Sequence, residues 1–201
     1  MIIKTTRERQ APTKIKDAEP SHLARYKFAL KKIKRKSTTL DSPCGTGYGS
    51  NVLSKKSTQV IGIDRSRRAI SHARECFQNN RTEFITGNIE SQSSKVKKQV
   101  DYIVSFEGIE HLKNPEKFVG ECYRTLSENG KLIISTPKKP HGNPYHIREF
   151  TLTEFKKILS KHFKIEEVYG QIYTKIFKMK KGYNKYKQHE RFNFIAICSK
   201  K

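Results

Sequence analysis

A chain of 201 residues, 34% of them apolar, is long enough for a single domain with a substantial core. No run approaches the roughly 18 apolar residues of a membrane span, and the N-terminal stretch lacks a signal-peptide pattern, so a cytoplasmic protein is expected. Forty-two Lys+Arg against 19 Asp+Glu give a formal charge of +23, a field that attracts polyanions such as nucleic acid. Lysine is spread through every segment, however, and a Lys-, Ile- and Asn-rich composition is also what genome bias produces. Cys44, Cys76, Cys122 and Cys198 are far apart and form no Cys-x-x-Cys pair, which predicts reduced thiols and not a zinc site or disulfide frame.

Residues 1–20 carry Pro12 and Pro20 with mixed charges, and read as an irregular arm. Ser21 is placed to cap a helix over 22–34, with Leu23, Tyr26, Phe28, Ala29, Leu30 and Ile33 as candidates for its buried face. Thr38 to Ser42 is β-prone and ends at Pro43, which cannot donate to a sheet ladder. Gly45, Thr46, Gly47 and Gly49 then predict a turn that a ligand can approach closely, followed by a helix over 51–56. A second strand over 59–63 ends on Asp64. An acid at that tip is positioned to accept hydrogen bonds from ribose hydroxyls bound over the first turn.

Two ligand classes share this layout. Dinucleotide folds want Gly-x-Gly-x-x-Gly. Here Leu40-Asp41 and Cys44 precede Gly45-x-Gly47-x-Gly49. That stretch resembles the nucleotide loop of class I S-adenosylmethionine-dependent methyltransferases, with Pro43 as a departure from the usual Gly or Ala. The resemblance implies that Asp41 lies near the amino-acid end of S-adenosylmethionine and that Gly45 and Gly47 lie against it. Cys44, Asp64, Arg65, Asn88, Ile89 and Phe106 complete the expected cofactor set, Asn88 beside the adenine amino group. His22-Leu-Ala-Arg25-Tyr26, preceded by Glu8-Arg9 and Pro12, resembles the N-terminal segment of one methyltransferase group and implies a lid over the cofactor.

Downstream, Ser66 caps a helix over 67–77, and 82–86 is a third strand closing on Gly87-Asn88. Residues 91–98 are polar and predict a surface loop. Near-continuous apolar character over 100–106 predicts a buried parallel strand. Pro115 opens a helix to about 126, Glu128-Asn129-Gly130 reads as a turn, and 131–135 as the fifth strand. Thr151 caps a helix over 152–162. A strand over 164–169, a basic insertion over 172–190 with Tyr173, Phe177, Tyr183 and Tyr186 among its lysines, and a last strand over 192–199 close the chain. Alternating strands and helices argue for one α/β domain over 1–201, with residues 1–36 as arm and first helix. With the resemblance, the expectation is a Rossmann-like fold: a mostly parallel seven-stranded sheet, helices on both faces and an antiparallel C-terminal edge.

The acceptor is addressed by a second constellation. Glu107, Glu110 and His111 follow the fourth strand, where ligands of open α/β sheets gather. Two carboxylates and an imidazole suit Mg²⁺ or Mn²⁺, and His146 is the candidate further ligand. The pairing Glu-x-x-Glu-His with His-x-x-Glu-Phe-Thr resembles the magnesium-dependent enzymes that 2′-O-methylate the 3′ end of small RNAs. Ubiquinone-pathway O-methyltransferases share the Glu-x-x-Glu-His part. Asn143-Pro-Tyr-His146, Ser135-Thr136-Pro137 and Gly170-Gln171 resemble a bacterial group associated with saccharide biosynthesis. His111 or His146 could instead serve as a metal-free general base, and the two glutamates could simply charge a helix N-terminus. His22, His72, His141, His162 and His189 are assigned to the surface or to helices. The expected function is O-methylation of a saccharide or other small diol-bearing acceptor. RNA ribose methylation is the alternative within enzymes, and a catalytically silent binding subunit the alternative outside them.

Overall fold

The computed structural model describes residues 10–179 and 192–201. Eight strands form one sheet: β1 (Thr38–Asp41), β2 (Gln59–Asp64), β3 (Thr82–Thr86), β4 (Val100–Ser105), β5 (Leu126–Pro137), β6 (Phe163–Ile172), β7 (Lys175–Lys178) and β8 (Phe192–Lys200). Their order is β3-β2-β1-β4-β5-β8-β6-β7, parallel from β3 to β5 and antiparallel at each later junction. The strand order reverses at β1, so the carboxyl ends of β1 and β4 diverge and leave a crevice there.

Side chains alternate across the strands and fill two separate cores. Ile61, Ile63, Ile103, Leu132 and Ile134 point to one face, which is covered by Phe118, Val119 and Cys122 of α4 (Pro115–Thr125) and Phe155 and Leu159 of α5 (Leu152–Leu159). Val60, Tyr102, Val104, Ile133 and Ile195 point to the other. There α1 (Pro20–Lys32), α2 (Tyr48–Leu53) and α3 (Arg67–Phe77) supply Tyr26, Val52, Leu53, Ile70 and Phe77. Both sheet faces are therefore dry, as near-continuous apolar strands require.

Several expected boundaries shift for identifiable reasons. Helix α1 starts at Pro20, and its cap is Glu19, not Ser21: the Glu19 carboxylate accepts from His22 N–H at 3.0 Å, and the Ser21 hydroxyl donates to the same oxygen. Helix α2 begins three residues early because Gly47, at φ 88°, turns the chain directly into it. Residues 91–98 are not wholly surface. A 3₁₀ segment Ile89–Ser94 buries Gln92, whose Oε1 accepts from Ser42 Oγ at 2.6 Å, and Val96 is buried behind it. Strand β5 starts at Leu126, running through the stretch expected as a turn, with a register shift opposite Val100 and Tyr102. An eighth strand, β7, extends the expected seven. It takes up Lys175–Lys178 of the basic insertion, of which residues 180–190, with Tyr183 and Tyr186, lie outside the described residues, as do Glu8 and Arg9.

Candidate active site

A cavity of about 350 Å³ opens over the carboxyl ends of β1, β2 and β4. Its cofactor-side wall is the turn after β1. Gly45 adopts φ +54°, and a Cβ placed there would meet nothing within 4 Å, so its bare backbone fronts the cavity. Asp64 ends β2 beside it. One carboxylate oxygen accepts from Gly45 N–H at 3.1 Å and the other from Ser66 N–H at 2.8 Å, which ties the tip of β2 to the turn. Cys44, Arg65, Asn88, Ile89 and Phe106 also line this wall. Asn88 Oδ1 is held by Glu90 N–H at 2.9 Å, so the amide nitrogen is the end that remains for a ligand.

Two expected cofactor residues stand behind the wall instead of on it. Asp41 is fully buried and accepts from Ser50 Oγ at 2.6 Å and Tyr26 Oη at 3.1 Å. Burial pushes its carboxyl up to about 7, against the pull of those two hydrogen bonds and with Asp64 adding to the push. Gly47 packs against α3 and β3, where a Cβ would fall 2.5 Å from Ala73 Cβ and 2.9 Å from the Phe84 ring. Its requirement is conformational and steric.

Residues of the N-terminal arm and α1 complete this end. Tyr26 packs its ring against Gly49, where a Cβ would fall 2.0 Å from the ring, and stands edge-on to Phe106 at 5.2 Å. Gln10 lines the cavity, and its carbonyl accepts from Thr46 Oγ1 at 2.9 Å, so the N-terminal arm crosses the glycine turn. His72, expected on the surface or helix, is buried and binds the Pro12 carbonyl through Nε2 at 2.9 Å. His22 also lines the cavity, and burial depresses its imidazole to about 4, helped by the Arg25 charge.

The opposite wall belongs to β4, β5 and the chain after them. Glu107 follows β4 at φ 52°, a left-handed conformation that a side chain of this size adopts only under constraint. It lines the cavity, with Oε1 accepting from Ser135 Oγ at 3.3 Å and Oε2 lying 3.9 Å from Arg25 Nη2. Arg25 is 1% exposed and donates from Nη1 to Gln171 at 2.9 Å, so α1 reaches the acceptor end through a buried cation. Glu110 is buried too. One oxygen is 3.4 Å from Thr136 Oγ1 and the other, Oε1, has no hydrogen-bond partner among the described residues. Burial, then the Glu107 charge, raises the Glu110 carboxyl well above the ordinary range.

The segment bearing His146 folds back onto this point, because Ile147 and Arg148 both donate backbone N–H groups to the Glu110 carbonyl, at 3.0 and 3.1 Å. His111 Nδ1 faces the Tyr145 carbonyl at 3.0 Å, which makes it the protonated nitrogen and puts the lone pair on Nε2. The rings of His111 and His146 stand edge to face at 5.1 Å. Ligand atoms of Glu110, His111 and His146 lie within 4.8 Å of one another. Of the expected quartet, three gather, while Glu107 stays with Ser135 and Arg25 on the cavity side. The orphaned Glu110 oxygen and a mixed carboxylate–imidazole donor set fit a divalent cation. Burial lowers the His146 imidazole, helped by His111 and His141, so it is neutral and able to ligate.

A model of the methyltransferase domain family matches residues 33–193, which includes the glycine turn, Asp64 and the Glu110, His111 and His146 group. The chain belongs to the class I S-adenosylmethionine-dependent methyltransferases. A Mycobacterium tuberculosis protein named "Probable S-adenosylmethionine-dependent methyltransferase" is 30% identical over 169 residues, 79% of this chain and 60% of its own. The ubiquinone biosynthesis O-methyltransferase of Pelagibacter ubique is 31% identical over 110 residues, 55% of this chain and 44% of its own. The chain thus spans roughly half the length of the curated relatives it matches. Among solved structures, the N-methyltransferase NodS of Bradyrhizobium japonicum, bound to S-adenosylhomocysteine, superposes with a TM-score of 0.70. That match covers 92% of this methyltransferase and 89% of NodS at 17% identity, a likeness of fold. No helix among the described residues is long and apolar enough to cross a membrane.

Proposed function

We propose that this chain is an enzyme that transfers a methyl group from S-adenosylmethionine to a hydroxyl of a saccharide or another small acceptor bearing neighbouring hydroxyls. The observation that carries the reading is the Glu110, His111 and His146 group, placed beside the cofactor cavity at the carboxyl ends of β4 and β5. S-adenosylmethionine supplies a methyl on a sulfonium, which leaves by in-line displacement without a covalent enzyme intermediate. Asp64 accepts from the ribose hydroxyls, Asn88 addresses the adenine edge, and Gly45 lets the cofactor approach the backbone. Tyr26 and Phe106 close the cavity floor and exclude water from the transfer.

An Mg²⁺ or Mn²⁺ ion held by Glu110, His111 and His146 would add positive charge that orients the acceptor hydroxyl and lowers its pKa. Glu107 faces the cavity from the same wall and can accept a hydrogen bond from a second acceptor hydroxyl, which favours a diol. Arg25, with Nη2 3.9 Å from Glu107 Oε2, orients that carboxylate. The ubiquinone-pathway relative supports oxygen as the methylated atom. A second reading has His111 Nε2 take the hydroxyl proton as a general base, favoured by the Tyr145 carbonyl that fixes its tautomer. RNA ribose is the acceptor that the +23 charge favours.

The test is methyl transfer from labelled S-adenosylmethionine to sugar nucleotides, quinol precursors and RNA oligomers, with chelator and with Mg²⁺ or Mn²⁺ restored. The expected result is turnover on a diol-bearing small molecule that chelation abolishes and the cation restores. Turnover that survives chelation overturns the metal and leaves His111 as base. Turnover on RNA alone overturns the small acceptor.

A further inference from the structure

The loop between β5 and α5 carries a second cluster that the methyl-transfer reading does not use. Gly142, at φ +69°, reverses the chain so that His141 stacks on His146, with ring centroids 5.0 Å apart and planes 27° apart. Glu149 approaches the same rings, its Oε1 lying 3.9 Å from His146 Nδ1. One ligand atom from each of His141, His146 and Glu149 falls within 4.8 Å of the others. We propose that these three side chains form a second cation site, suited to a nitrogen-preferring ion such as Zn²⁺ and distinct from the group built on Glu110.

Three observations support it. His141 Nδ1 and His146 Nδ1 are both buried and have no hydrogen-bond partner among the described residues. A neutral imidazole normally satisfies both ring nitrogens when buried, so two such orphans on stacked neighbouring rings are unusual in a purely structural cluster. The Glu149 carboxylate is itself oriented, accepting from His141 N–H at 3.0 Å and Gly142 N–H at 2.8 Å. Outer hydrogen bonds of this kind fix the direction of a ligating carboxylate. The donor set is two imidazoles and one carboxylate, which matches zinc sites that keep a fourth position open.

His146 belongs to both groups, so the test separates them through the residues they do not share. The protein and its Glu110→Gln, His141→Ala and Glu149→Gln variants are titrated with Co²⁺, followed by the visible bands of cobalt bound to nitrogen and oxygen donors. The proposal expects one Co²⁺ bound by both the parent protein and Glu110→Gln, displaced by Zn²⁺ and not by excess Mg²⁺. It expects affinity to fall at least about 10-fold in His141→Ala and in Glu149→Gln. Unchanged binding in both loop variants, or no binding by folded Glu110→Gln, overturns it. In the last case the ion belongs to the acceptor group, and the proposed function stands without this site.

Discussion

The two ends of the cavity are finished to different degrees. At the cofactor end the buried carboxylates are matched within the protein: Asp41 by Ser50 and Tyr26, Asp64 by the backbone of Gly45 and Ser66. At the acceptor end Ser105 Oγ, Glu110 Oε1, His141 Nδ1, His146 Nδ1 and Arg25 Nε and Nη2 are buried without hydrogen-bond partners among the described residues. Among the described residues, only His72 Nδ1 joins that group from elsewhere. Unpaired buried polar atoms cost stability, so their concentration at one end marks the place where function outweighs packing. The cofactor end is a rigid cradle. The acceptor end is where polar capacity is kept in hand.

The largest expected effect falls on the unfinished end. Glu110→Gln keeps the shape but removes the carboxylate that would ligate a cation at the centre of the group. Methyl transfer should drop roughly 10²–10³-fold, the scale for losing one preorganised electrostatic partner. Affinity for S-adenosylhomocysteine, read by calorimetry, should stay near that of the parent. Equal losses in both measurements would erase the distinction between the two ends.

On the finished end the comparable break is in folding. Gly47→Ala adds a Cβ 2.5 Å from Ala73 and imposes φ 88° on a residue that resists it. The cost should be about 2–3 kcal/mol in denaturant unfolding, from overpacking and the left-handed backbone together. Gly45→Ala shares the backbone penalty without the collision, so it should cost less stability while still weakening cofactor binding.

Asp64→Ala sharpens the comparison within the cofactor end. It removes the ribose acceptor and releases the tie between Gly45 and Ser66. Affinity for S-adenosylhomocysteine should weaken by about 1–3 kcal/mol. An unchanged titration would remove Asp64 from the ribose assignment.

The same contrast explains what could be read from the chain alone. The glycine turn, Pro43, the Ser66 and Thr151 caps and the apolar strands are local signals, each set by backbone conformation or short-range hydrogen bonds. They placed β1 to β4 and the acid at the tip of β2 to within a residue or two. Gln10 reaches the site, and Arg25 reaches its acceptor end, through contacts with residues far away in sequence, such as Gln171 for Arg25, and no periodicity announces such a contact. Ser21 reads as the cap in sequence, whereas Glu19 caps the helix because Pro20 takes the first helical position. His141 looks like any loop histidine until Gly142 turns it onto His146. Glu107 stands out in sequence as a potential ligand, whereas in the fold Ser135 and Arg25 hold it apart from Glu110.

The smallest effect concerns Asp41, whose carboxyl burial raises to about 7 in the folded protein from an ordinary value of 3.8. Between those values the folded state holds a proton that the unfolded chain has lost. The contribution to stability is therefore complete below about pH 4 and disappears as pH rises through 7. Asp41→Asn mimics the protonated side chain at every pH and removes this dependence, although it also changes the contacts with Ser50 and Tyr26. The informative quantity is therefore the change with pH, since that fixed offset cancels. Relative to the parent, Asp41→Asn should gain about 1 kcal/mol of unfolding free energy between pH 6 and 8. Urea unfolding of both proteins at the two pH values measures it. A difference that stays constant across this range would mean that Asp41 is ionised throughout, and the cofactor end would then hold two buried anions, Asp41 and Asp64, side by side.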